Sequence, residues 1–313
     1  MDTSEAISSH LKDFATFHID LNKYVKLSVA ALNHLSSTSN NSKELSDLIA
    51  ELIKGAGERW FPTNYVDPHH EIEDLKFQLT ESALMRVYSS FEVFLDEISG
   101  SYSEYKVKDP VKVDPASYGL TSIKLFAAFG WSTANIKYLL PVYHFYNVAR
   151  HCVVHQMGKA NKELINLSIS SDFLDAIENW PTVNPGNQLS PPPTVKDNQK
   201  IDLRPHHAIT YSDVCYRLAS EINRKLIEMV GYEYIVRFVA IERILKKDTL
   251  DYPPCKDSYH YLRHILKEEY RIKNVEFPLI KAVLEKEGIR KKCYHKHASM
   301  LSMHNKALQQ TSP

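Results

Sequence analysis

An all-α fold is predicted by three features of this chain. Apolar residues recur at helical spacing along most of its length, and glycine is scarce, at nine of 313 residues. Leu, Lys, Glu, Ala and Ile are plentiful, a balance that favours helices over a turn-rich β architecture. With 43% hydrophobic and 24% charged residues the chain resembles an ordinary globular protein and can bury a sizeable core, in one large domain or two smaller ones.

Residues 4–36 place Ile7, Leu11, Phe14, Phe17, Leu21, Tyr24, Leu27, Ala31 and Leu32 at helical intervals, which predicts one long helix or two consecutive ones. The polar stretch from Ser37 to Ser42 breaks the period. Leu45, Leu48, Ile49 and Leu52 restart it, and Pro62 to Pro68 breaks it again. The cleanest amphipathic run is Glu71 to Ile98, whose stripe is Leu84, Val87, Tyr88, Phe91, Phe94, Leu95 and Ile98. Gly100 and the segment ending at Pro110 should close it.

Lys106 to Pro115 reads as a loop and Ser122 to Phe129 as a short helix, with Ser132 as N-cap of the next helix. That helix, from Ala134 to Met157, contains Pro141, which either opens it in the first turn or kinks it. Trp180 to Asn198, with five prolines, reads as a surface loop, and Lys200 to Leu203 as a short strand. Tyr211 to Leu245 is a second long helix, interrupted or bent near Gly231. A change of character after Asp248 to Pro254 sets two expected domains, a helical bundle over 1–245 and a small helical extension over 246–313. The extension should hold two short helices (259–270, 277–286), a basic segment and a loose tail.

Lys plus Arg equals Asp plus Glu at 38 each, which excludes non-specific gripping of nucleic acid by a large basic excess; any such contact must be local. Met1 to Thr16 is acidic and polar, which predicts no signal peptide, and no stretch approaches the length of a membrane span. Cys152, Cys215, Cys255 and Cys293 are far apart without a CxxC, so free thiols in a reducing cytoplasm are expected. Fifteen histidines exceed what helical packing needs, and they direct the search towards imidazole chemistry.

That search leads to residues 147–158, NVARHCVVHQMG. At about 100° per residue, Val142, Phe145, Ala149 and Cys152 form an apolar stripe. His144, His151 and His155 fall within a sector about 40° wide on the opposite side, flanked by Asn147 and Arg150. Such a face suits RNA cleavage without a metal. Histidine can take a proton from the 2′-OH and return one to the leaving 5′ oxygen, while arginine offers a fixed fork of donors to phosphate.

Arg150, four residues, then His155, late in a helix and followed by Gly158, resembles the Arg-x(4–6)-His motif of the HEPN superfamily, the higher eukaryotes and prokaryotes nucleotide-binding proteins. Ser89-Ser-Phe-Glu92 resembles the acidic residue after an aromatic on the preceding helix of defence-associated members, and Trp131 the approach to the motif helix. The likeness covers residues 1–245. It departs from the family's common pattern after the arginine, where His151 replaces the frequent Asn.

The resemblance implies a HEPN-like helical bundle whose motif helices meet in a homodimer with a composite site. It implies a metal-independent endoribonuclease that leaves a 2′,3′-cyclic phosphate, needs no cofactor, and acts as a toxin or antiphage effector with an antitoxin or sensor partner. Arg150 would then bind phosphate and His155 act as main acid/base, with His151 as second candidate and Glu92 orienting either. Asn147 and His144 would sit beside the RNA. The alternative is a non-catalytic HEPN-like interaction module in a larger complex.

Two further groups have plainer readings. Arg290, Lys291, Lys292 and Lys296 around Tyr294 read as an RNA-facing patch or, more simply, as a solvated tail. His260 and His264, four residues apart, invite a metal together with Cys255, Cys293, His295 and His297, but the spacing fits no zinc module, and scattered surface histidines are the simpler reading. No Gly-rich phosphate loop, Gly-x-Ser-x-Gly or HExxH occurs.

Overall fold

A computed structural model describes residues 5–57, 65–105, 125–126, 129–180, 192–252 and 255–311, with the backbone alone for 101–105 and 308–311. Among these residues the protein is all-α, with eleven α-helices and no strand. They are α1 (Ser9–Ser37), α2 (Ser42–Gly55), α3 (Pro68–Tyr105), α4 (Leu139–His155), α5 (Lys162–Ser168), α6 (Ser171–Glu178), α7 (Pro205–Val230), α8 (Tyr232–Ala240), α9 (Ser258–Glu268), α10 (Phe277–Lys286) and α11 (Arg290–Thr311). A 3₁₀ turn (Ala134–Ile136) precedes α4, and a π-helical turn (Ile241–Leu245) comes directly after α8. Among the described residues no helix is long and apolar enough to cross a membrane.

Contacts along the backbone divide the chain into two compact units that interleave in sequence. One comprises Met1–Asp13, Asp96–Lys112 and Ser220–Pro313, the other Phe14–Leu95 and Val113–Ala219. The boundary expected at 245/246 falls inside the first unit. The reason is packing: Tyr234, Ile235 and Val239 of α8 share one core with Tyr261, Leu262 and Ile265 of α9, Ile280 and Leu284 of α10, and Cys293 and Met300 of α11. The residues after 245 are thus the other half of a core that α8 begins.

In the second unit the core is aromatic. Phe14 of α1 meets Phe91 and Phe94 of α3 with ring centroids 5.7 and 5.5 Å apart. Tyr143 of α4 meets Phe91 at 5.5 Å, and Phe145 stacks on Phe173 of α6 at 4.6 Å. The α3 stripe read from the sequence is buried at Leu84, Val87, Phe91, Phe94, Leu95 and Ile98; Tyr88 is only half-buried.

Several boundaries differ from expectation. α3 runs past Gly100 to Tyr105. Lys200 makes only an isolated bridge with Lys159, and the Leu203 N–H turns back to Ile201 C=O, so Lys200 to Leu203 is not a strand. Of the last ten residues, expected to be loose, 304–311 continue α11, whose earlier turns are anchored by the buried Cys293, His297 and Met300 on one face. Gly231, with φ of 74°, separates α7 from α8, a left-handed position that glycine adopts without a Cβ penalty. The expected loop over 106–115 and most of the 181–198 loop and the 122–129 helix lie outside the described residues.

Candidate functional site

The candidate helix α4 belongs to the second unit. Pro141 sits in its first turn, where a missing N–H costs nothing, and Ser132 Oγ accepts from Ala134 N–H at 3.3 Å before it. Val142, Phe145, Ala149 and Cys152 are buried as the spacing predicts, joined by Tyr143, Tyr146 and Val148. At the far end Gln156 and Gly158 N–H both return to Cys152 C=O, at 2.9 and 3.1 Å. Met157 and Gly158 are left-handed, with φ of 52° and 76°, and this double turn ends the helix just after His155.

Arg150 stands at the margin of the core. Its guanidinium carbon lies 3.7 Å from the centre of the Tyr88 ring. Its Nη2 donates to Asn147 Oδ1 at 3.2 Å, and its Nε is buried with no hydrogen-bond partner among the described residues. Tyr143 of α4 and Tyr211 of α7 lie close enough for the Arg150 charge to act on both phenols. Burial pushes each well above the usual tyrosine range, and the guanidinium opposes the rise. Glu92 of α3 is near as well, since its charge adds to the rise at Tyr143 and at the buried Cys215 thiol, where burial dominates. Three helices therefore converge here: Tyr88 and Glu92 from α3, Tyr143, Asn147 and Arg150 from α4, Tyr211 and Cys215 from α7.

His151 and His155 come together at the exposed end of α4, ring centroids 4.5 Å apart. His151 is half-buried and His155 exposed. His144 faces Glu163 of α5 at 3.8 Å, an ion pair only when the imidazole is protonated. Arg150 and His155, five residues apart, project about 140° from each other around the axis. The spacing alone puts Arg150 on the flank of the open polar face; the structure instead seats it against Tyr88.

Of the weaker RNA-binding candidates, Asn147 and His144 share α4 with Arg150, whereas Arg290, Lys291 and Lys292 belong to the other unit. Arg290 donates from Nε to Tyr259 Oη at 2.7 Å and pairs with Glu285, so it is engaged within its own fold. Lys291 and Lys292 are exposed on α11. Cys293 and His297 point into the core there. Among the described residues no group of three or more His, Cys, Asp or Glu is arranged to hold a metal ion.

Two features escape sequence reasoning. The Tyr88 ring belongs by spacing to the core stripe, and its period-3.6 position gives no sign that its face serves a cation. His206 and His207 open α7: Arg204 N–H donates to His207 Nδ1 at 2.9 Å, so a neutral His207 carries its proton on Nε2, 3.0 Å from His206 Nε2. His206 lines a groove of about 610 Å³ with Lys76, Phe77, Lys200, Arg204 and Asp202. Only contact across the fold assembles that groove, and no motif announces it. Comparison with protein-family models, with curated proteins and with solved structures finds no match.

Proposed function

We propose that this protein is a metal-independent endoribonuclease of HEPN type, acting in antiphage defence or as a toxin. The observation that carries the reading is the make-up of α4. One helix supplies an arginine whose guanidinium is fixed by an aromatic face and an amide, and ends in two adjoining imidazoles at its exposed tip. In the proposed reaction one histidine takes the 2′-OH proton and the 2′ oxygen attacks phosphorus. The 5′ oxygen then leaves with a proton from a second histidine, and a 2′,3′-cyclic phosphate remains. Arg150 would hold the phosphate oxygens.

Within one chain Arg150 and His155 diverge around the helix axis, so a two-fold homodimer supplies the missing geometry by setting the same helix opposite itself. Val154 and Met157, 44% and 83% exposed at the end of α4, are apolar residues such a contact would cover.

A second reading has its own observation. An arginine with a buried Nε stacked on tyrosine is also what a packing residue looks like, which favours a non-catalytic interaction module within a larger complex. Expression in a bacterial host separates the two. The ribonuclease reading expects growth arrest with the wild type and normal growth with Arg150→Ala or His155→Ala at equal protein level. Equal toxicity of folded variants overturns it.

A further inference from the structure

The first unit holds a second concavity, of about 750 Å³, remote in sequence from α4. One wall is a single face of α9, where His260, Arg263, His264 and Lys267 keep the i, i+3, i+4, i+7 spacing of one helical stripe. The other wall is the turn from Arg271 to Val275 that leads towards α10, together with Glu5 from the N-terminal segment. Four fixed cations thus face the groove (Arg263, Lys267, Arg271, Lys273) against two carboxylates (Glu5, Glu268).

The fold neutralises only part of that charge. Lys273 pairs with Glu5 at 2.6 Å, and Lys267 approaches Glu268 at 3.4 Å, both pairs exposed and therefore weak. The side chains of Arg263 and Arg271 make no hydrogen bond or ion pair among the described residues. Arg263 lies 5.0 Å from the Phe277 ring centre, with its donors left open. Arg271 and Asn274 are both held in left-handed backbone, φ 54°, a conformation that L-residues other than Asn and Asp seldom adopt. Such a turn persists when its surroundings impose it, and backbone of this kind gathers at ligand sites.

We propose that this groove binds a small ligand bearing two or more phosphate groups, of the size and charge of a nucleoside triphosphate. Two guanidiniums lining one groove, Arg263 from α9 and Arg271 from the turn after it, match phosphate oxygens with paired donors, which lysines do only as point charges. The volume falls in the range of small-molecule sites, about 300–1,000 Å³. Glu5 and Glu268, among the lining residues, disfavour a polyanion that continues past the groove, which argues for a compact ligand over a nucleic-acid strand. His260 and His264 line the same wall, His260 with its Nδ1 held by Asp257 at 3.0 Å and His264 with its ring edge-on to Tyr252. None of this depends on the chemistry assigned to Arg150 and His155.

Titration calorimetry on the full chain at low salt tests the proposal with ATP, tripolyphosphate and a 12-nucleotide oligothymidylate, which lacks the 2′-OH and cannot be cleaved by 2′ attack. ATP and tripolyphosphate should bind, compete with each other and weaken as salt rises. Arg263→Gln and Arg271→Asn should each lower affinity about tenfold, the loss expected for one charge-assisted phosphate contact. Asn tolerates the left-handed position, so the turn survives. Lys267→Gln, on a side chain 72% exposed, gives a smaller loss without threatening the fold. Absence of binding by ATP and tripolyphosphate up to about 1 mM overturns the proposal. So does binding that all three variants leave unchanged, or an oligothymidylate that binds through these residues while ATP does not.

Discussion

The seat of Arg150 on Tyr88 makes a quantitative demand. If the proposed chemistry holds, the aromatic face keeps the guanidinium in one position, and Tyr88→Leu removes that face while leaving the charge. The guanidinium carbon is 3.7 Å from the ring centre, and Arg150 Nε is already out of water. The interaction therefore belongs towards the desolvated end of the cation–π range, about 1–2 kcal/mol. Lost from the transition state, that is a fall of about 5–30-fold in kcat/KM. Tyr88→Phe keeps the ring and should stay within about threefold of wild type. The assay is cleavage of a labelled RNA by purified protein, with denaturation midpoints to establish that each variant is folded. Full activity in folded Tyr88→Leu refutes the positioning argument, as does an equal loss in Tyr88→Phe.

Three other outcomes are expected from the packing. Phe145→Ala empties a fully buried site stacked on Phe173 and should cost about 3–5 kcal/mol, read as a lower urea midpoint. Gly158→Ala places a Cβ 3.4 Å from Glu81 Oε1 at a φ of 76°, so it should destabilise by about 1–2 kcal/mol and disturb the histidine end of α4; a midpoint at or above wild type contradicts this. Burial lowers the pKa of His297, and of His18 despite the opposing pull of Asp213, below the ordinary 6.5. The unfolded chain then binds more protons, so this stability is fully present above about pH 6.5 and is lost as pH falls through the folded values. Urea midpoints at pH 7.5 and 5.5 should differ in that direction, and His297→Leu should narrow the difference.

The helices were legible because a period of 3.6 is local. The stripes of α3 and α4, the first-turn place of Pro141 and the break at Gly231 come from spacing, from a proline with a fixed φ and from a glycine free to adopt a positive one. What spacing cannot carry is partnership across the fold. Tyr88 looked like a core residue because its angle on α3 is that of the stripe; only the arrival of Arg150 from α4 gives its face another use. α11 looked like a polar tail because its three buried positions, Cys293, His297 and Met300, are a small fraction of a basic segment. The division of the chain was hidden for the same reason. α8 contributes to a core whose other helices come after the linker, and composition changes at the linker, not at the packing boundary. Histidine spacing read most simply as scattered surface residues at His260 and His264, and it could not show that they line one groove with arginines.

The central claim is that α4 cuts RNA with its own side chains. Incubation of the purified protein with RNA in EDTA, with subsequent mapping of the new ends, tests it most directly. The account predicts cleavage that survives the chelator, leaves 2′,3′-cyclic phosphate and 5′-hydroxyl ends, and disappears in Arg150→Ala and in His155→Ala. Cleavage abolished by EDTA, or undiminished in both variants, would contradict it.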